Sequence, residues 1–141
     1  MDREELLQRI DASWQDLQDA LHGIPPERAS EPGVAGEWSV KDLLGHITFW
    51  ERGCAADVQR LGPEEAVEGF DVDKLNAQEQ ECIKNRSLDE LQSEFTESHV
   101  ALMQVLRTAE DLNPDDVKGD TWEHYAEHTA DIRDWRTRVG V

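Results

Sequence analysis

The chain has 141 residues, with 32 Asp and Glu against 14 Lys and Arg, and a formal net charge of −18. That length suits one domain, residues 1–141, able to bury roughly 70% of the surface its unfolded form exposes. Phosphate and anionic lipid both call for clustered Lys and Arg, so the charge leads us to expect no nucleic acid and no membrane among the partners. Five Trp, three Phe and regular Leu/Ile/Val spacing favour a folded core over acidic disorder.

The first residues, Met1-Asp2-Arg3-Glu4-Glu5, lack the basic and apolar regions of a signal peptide. No apolar run approaches the roughly 20 residues that span a bilayer. Cys54 and Cys82 sit in no CxxC spacing, and reduced thiols in a cytoplasmic protein are the expectation, although spacing does not exclude a disulfide between them.

Four stretches carry helical periodicity and none carries a convincing period of two. The first runs from about Arg3 to His22, with Leu6, Ile10, Trp14, Leu17 and Leu21 on one face and Gly23-Ile24-Pro25-Pro26 as its stop. His22 closes it, where a cation suits the helix dipole. The second opens at Ser39, where Ser39-x-x-Asp42 resembles a capping box with Asp in place of Glu. Its stripe is Val40, Leu43, Leu44, Ile47, Trp50, Cys54, Val58 and Leu61, ended by Gly62-Pro63. Trp38, just before the cap, is placed to act as a hydrophobic staple. A shorter candidate lies around Val72, Leu75, Cys82 and Ile83. The third long stretch follows Ser87-x-x-Glu90, a capping box, with Leu88, Leu91, Phe95, Leu102, Leu106 and Ala109 in its stripe and Asn113-Pro114 beyond its end. The fourth begins at Asp120 or Thr121 and continues to about Arg138, its acids early and its bases late, as the dipole favours. Four amphipathic helices without strands predict an all-α four-helix bundle with a long connection between helices two and three.

Histidines break this pattern. With His124 at zero on the last helix, about 100° per residue puts His128 near 40°, Trp135 near 20° and Ile132 near 80°. Both histidines therefore lie in the stripe that should face the core, one turn apart, where two imidazoles can share an ion. About 0.14 such pairs arise by chance in a chain with five His, so spacing alone carries little weight. The competing reading is two core-edge histidines bonded to carboxylates such as Asp131. His46 lies at the edge of the second stripe, where it could turn toward a neighbouring helix or serve as a boundary residue. His99 lies nearer the centre of the third stripe, and can be a fourth ligand, a substrate contact or a packing residue, the last being favoured. Trp14, Trp50 and Trp135 fit core stripes. Trp122, off the main stripe and beside the histidine pair, is the best candidate for a pocket wall, with His99 as a second. Cys54, on an apolar face, reads as an inert buried thiol.

The run Gly36-Glu37-Trp38-Ser39-Val40-Lys41-Asp42-Leu43-Leu44-Gly45-His46-Ile47, with Trp50-Glu51 after it, resembles the second-helix signature of the DinB/YfiT-like superfamily, and more narrowly its ClbS/DfsB-like branch. Ser87-Leu88-Asp89-Glu90-Leu91, Ser98-His99, His124-Tyr125-Ala126-Glu127-His128 and Asp131-Ile132-Arg133-Asp134-Trp135 are similar to later segments of that branch, in the same order. The resemblance implies a bundle holding a divalent metal, Zn or Ni, through His46, His124 and His128, with an open position. It also implies a small-molecule enzyme, either a thiol S-transferase using a low-molecular-weight thiol or a hydrolase of electrophilic compounds. In that reading Glu127 or Asp131 orients a ligating imidazole, and Glu123 or Tyr125 moves protons. The alternative is a non-catalytic bundle that sequesters a toxin or metabolite. Relatives are often dimers, so a homodimer is a further expectation.

Overall fold

The computed structural model describes residues 1–59 and 71–141, and the regular structure among these is helical apart from one isolated β-bridge. The long helices are α1 (Arg3–Leu21), α2 (Val40–Val58), α4 (Leu88–Thr108) and α6 (Trp122–Val139); α3 (Val72–Ile83) and the single turn α5 (Pro114–Val117) lie between them. The shorter candidate around Val72–Ile83 is thus a helix of 12 residues. The expected end of the second stripe, Leu61 with Gly62-Pro63, falls outside the described residues. No described helix is long and apolar enough to cross a membrane.

The chain groups into two compact units, Met1–Leu43 with Asn113–Val141, and Leu44–Leu112. In the first, α1 is capped by Asp2, whose carboxylate accepts from Glu5 N at 2.8 Å while Glu5 returns the bond to Asp2 N at 3.1 Å. Leu6, Ile10, Leu17 and Ala20 are its buried face. Three hydrogen bonds join α1 to α6 in the same order along both helices: Ser13 Oγ to Trp122 O, Arg133 Nη2 to Asp16 O, and Arg136 Nη1 to Ala20 O. Arg136 also donates to His22 O at 2.6 Å. A guanidinium thus occupies the carbonyl end of α1, where the helix has acceptors it cannot satisfy itself and a partial negative charge. Gly140 ends α6 in the left-handed region (φ 72°), a conformation that costs glycine little.

The start of α2 is fixed locally. Gly36, at φ 59°, begins a tight turn in which Trp38 N donates to Ala35 O at 3.0 Å. The turn delivers Ser39, whose Oγ accepts from Asp42 N at 3.1 Å while Asp42 Oδ2 accepts from Ser39 N at 2.9 Å. The Asp variant of the capping box is therefore complete in both directions. At α4 only half of the expected box forms. Ser87 Oγ accepts from Glu90 N at 3.1 Å, while the Glu90 carboxylate turns to Arg86 Nε at 3.3 Å.

In the second unit, Trp50 Nε1 donates to Asn76 Oδ1 at 2.8 Å and ties α2 to α3. Gly45 allows close packing there, because a Cβ would collide with Ile83 Cδ1. The α4 face that is buried carries Leu91, Phe95, Ser98, His99, Leu102, Met103 and Leu106. Two polar residues stand in the middle of that apolar row.

Candidate metal centre

Helix α6 presents its buried face through Trp122, His124, Tyr125, His128, Thr129, Ile132 and Trp135. The helical spacing brings the two imidazoles together edge-on, with ring centroids 4.6 Å apart and planes at 73°. Their Nε2 atoms are 3.0 Å apart. His128 Nδ1 lies 3.1 Å from Asp131 Oδ2, one turn further along the same helix. An ionised carboxylate only accepts, so this contact puts the His128 proton on Nδ1 and leaves Nε2 as the lone-pair nitrogen. His124 then donates its Nε2–H to His128.

That arrangement suits a metal as well as a hydrogen bond. Two nitrogens on one tetrahedral zinc, each roughly 2.0–2.1 Å from it, are about 3.3 Å apart, so with the His124 proton moved to Nδ1 an ion between the two Nε2 atoms would ask for only a small opening of the pair. Helix α2 carries His46 within a run, Leu43 to Thr48, in which every residue is buried. One ligand nitrogen from each of His46, His124 and His128 lies within 4.8 Å of the others, a group able to hold a metal ion. All three are buried, and three neutral imidazoles suit a borderline divalent ion.

The other expected site residues are distributed differently. Asp131 is the carboxylate that reaches His128, whereas Glu127 and Glu123 are exposed. Tyr125 is fully buried, its ring edge-on to Trp14 with centroids 5.3 Å apart. Trp122 is nearly buried, its backbone oxygen accepts from Ser13, and the Arg9 guanidinium stands 5.0 Å over its ring centroid. His99 does not stand alone on its stripe. Its Nδ1 is 2.9 Å from Glu51 Oε2, and Ser98 Oγ donates to Glu51 Oε1 at 2.8 Å.

Glu51 has no exposed surface, and no functional role was expected for it from the sequence. A signal was present: Glu51 stands four residues after Ile47 and three before Cys54, inside the apolar stripe of α2. A carboxylate at such a position needs partners to offset its desolvation. Cys54 is buried and Cys82 exposed, and neither is in a disulfide.

Fold and site together define a helical bundle protein with a buried three-imidazole donor group. The chain belongs to the DinB superfamily, whose family model matches residues 9–136. No curated protein matches it. Among solved structures, an uncharacterised protein from Escherichia coli UTI89 shares the fold with a TM-score of 0.83 and 19% identity, covering 99% of this chain and 95% of its own. The colibactin self-resistance protein ClbS, crystallised in complex with a dsDNA, aligns with a TM-score of 0.78 and 18% identity over 94% of this chain and 93% of its own. The second neighbour corrects the expectation of no nucleic-acid partner. A net charge sums the whole surface, whereas a phosphate backbone is held by local donors and local potential, so −18 does not exclude such contacts.

Proposed function

We propose that the protein is a divalent-metal-dependent small-molecule enzyme, a thiol S-transferase or a hydrolase of electrophilic compounds, with His46, His124 and His128 as ligands. The single observation that supports this most is the convergence of three buried imidazole nitrogens within 4.8 Å. Zn or Ni suits the donor set. When bound, such an ion supplies Lewis acidity, polarising a substrate oxygen or bringing a bound water or thiol toward ionisation at neutral pH. Asp131 fixes the tautomer of His128 so that Nε2 can ligate. A reducing, cytoplasmic setting is part of the proposal, supported by two cysteines that form no disulfide and by the thiol cosubstrate the chemistry would use. One functional domain is proposed as well, because the match over residues 9–136 draws on both compact units.

Elemental analysis of protein purified without a polyhistidine tag tests the metal. We expect about one Zn or Ni per chain and a lower melting temperature in chelator. No stoichiometric metal, with melting unchanged by chelator, would sink the reading. Turnover of electrophilic substrates with several biological thiols then separates transferase from hydrolase.

The similarity to ClbS favours a second reading, a non-catalytic resistance or sequestering role on the same bundle. That reading predicts ligand-induced stabilisation without turnover in metal-loaded protein. Because ClbS was crystallised with a dsDNA, titration of a labelled duplex at several salt concentrations belongs to the same test.

A further inference from the structure

Within the unit Leu44–Leu112, α3 is held differently from the long helices α2 and α4. It has 12 residues, about the length at which an isolated helix is marginal in water, so its helical form depends on what it docks against. Ile83 is its buried side chain, Leu75, Asn76, Glu79 and Gln80 are half-buried, and the rest of the helix is exposed. These five positions recur at spacings of three and four and form one face. Along it, Asn76 Oδ1 accepts from Trp50 Nε1 at 2.8 Å, and Ile83 fills the notch that Gly45 leaves in α2. Glu79 lies between these two ties, a carboxylate in the docked stripe. Around it stand Arg52 of α2, Arg86 of the turn behind α3 and Glu94 of α4. Arg86 is itself bonded to Glu90 and Glu94, which anchors that turn to α4.

We propose that α3 is a releasable strap, docked on α2 through Ile83 and Asn76, which melts off as one unit while α2 and α4 stay folded and is tuned by the charge on Glu79. Its release uncovers α2 around Gly45 and Trp50, on the helix that carries His46, and it does not depend on the metal reading. A segment with little buried apolar surface and a solvated outer face belongs to the low-stability end of a fold. Loss of docking and loss of helix are one event here, because so short a helix does not hold its shape alone. Burial pushes the Glu79 carboxyl above its ordinary range, more than the guanidiniums of Arg52 and Arg86 pull it down, and Glu94 pushes the same way as burial. The docked state therefore holds that proton more tightly than the released one. Docking gains strength as pH falls from neutral through the raised value toward the ordinary one, and loosens as pH rises.

Native-state hydrogen exchange on the full-length chain, corrected for the intrinsic effect of pH on the rates, tests both parts. The amides of α3 and the indole N–H of Trp50 should exchange together, with protection on the order of 10²-fold below that of the α4 amides around Leu102. Ile83→Ala should lower the protection of α3 and of the Trp50 indole by roughly a further 10-fold or more and leave α4 unchanged. Between about pH 7.5 and about pH 5.5 the protection of α3 relative to α4 should rise severalfold in wild type. Glu79→Gln, which places an uncharged side chain in the stripe, should raise it at the higher pH and remove the dependence. Exchange of α3 only together with α4, or equal losses in both helices for Ile83→Ala, would overturn the strap. Protection of α3 that ignores pH in wild type, or that falls at neutral pH in Glu79→Gln, would overturn the tuning by Glu79. Should Ile83→Ala unfold the whole chain, Gly45→Ala makes the same comparison, because its added methyl displaces Ile83 from the notch.

Discussion

At the residue scale, the pair His124 and His128 is shaped by Asp131. The carboxylate at 3.1 Å sets the proton on His128 Nδ1 and turns Nε2 toward His124. Asp131→Ala should therefore weaken zinc binding about 10–100-fold in competition with a chromophoric chelator. Glu127→Ala should leave it unchanged, since Glu127 is exposed. Equal losses for the two variants would contradict the assignment of Asp131. The histidine pair was legible in the sequence, because i,i+4 spacing places both rings on one face whatever the surroundings. Glu51 was passed over although it interrupts an apolar stripe, because periodicity alone does not say which partner a buried carboxylate will meet. Its partners come from a helix some 50 positions away in the chain.

At the element scale, helix ends were legible where a side chain and the backbone close on each other locally. Ser39 and Asp42 form both arms of their box, so Ser39→Ala should cost about 1 kcal/mol, read as a fall of roughly 2–4 °C in Tm. The box expected at Ser87 is half-formed because a cation competes for Glu90. Arg86 lies between Glu90 and Glu94, and its guanidinium, bonded to Glu94, holds the Glu94 carboxyl below its ordinary range. A depressed carboxyl stabilises the fold above the pKa of the unfolded chain, and that stabilisation fades as pH falls through the lowered folded value. Glu94→Gln should thus cost up to about 1 kcal/mol near pH 7, as solvent screens this partly exposed pair. The difference in melting between variant and wild type should vanish in acid; a gap that persists at pH 2 would refute the ion-pair account. Arg136 was expected only as a late cation on the last helix. It proves to cap α1 as well, a long-range contact that no local pattern encodes. Arg136→Ala should cost about 1.5–3 kcal/mol in denaturant unfolding, from the charged hydrogen bonds to Ala20 O and His22 O.

At the scale of the whole molecule, the all-helical DinB fold followed from four periodic stripes, while the sign of the net charge misled about partners. The acidic total describes most of the surface and says little about any one patch. Metal should act on the stability of the whole chain. At a free zinc concentration 100 times Kd, binding to the native state alone adds about 2.7 kcal/mol, a rise of roughly 5–10 °C in Tm. The variant lacking His46, His124 and His128 should show no such rise. The most direct measurement is a crystal structure of protein purified without a polyhistidine tag, with diffraction recorded on both sides of the zinc and nickel absorption edges. The account predicts one anomalous peak bonded to nitrogens of His46, His124 and His128. A well-ordered map with no peak there after zinc soaking, or with the ion held by other residues, would contradict it.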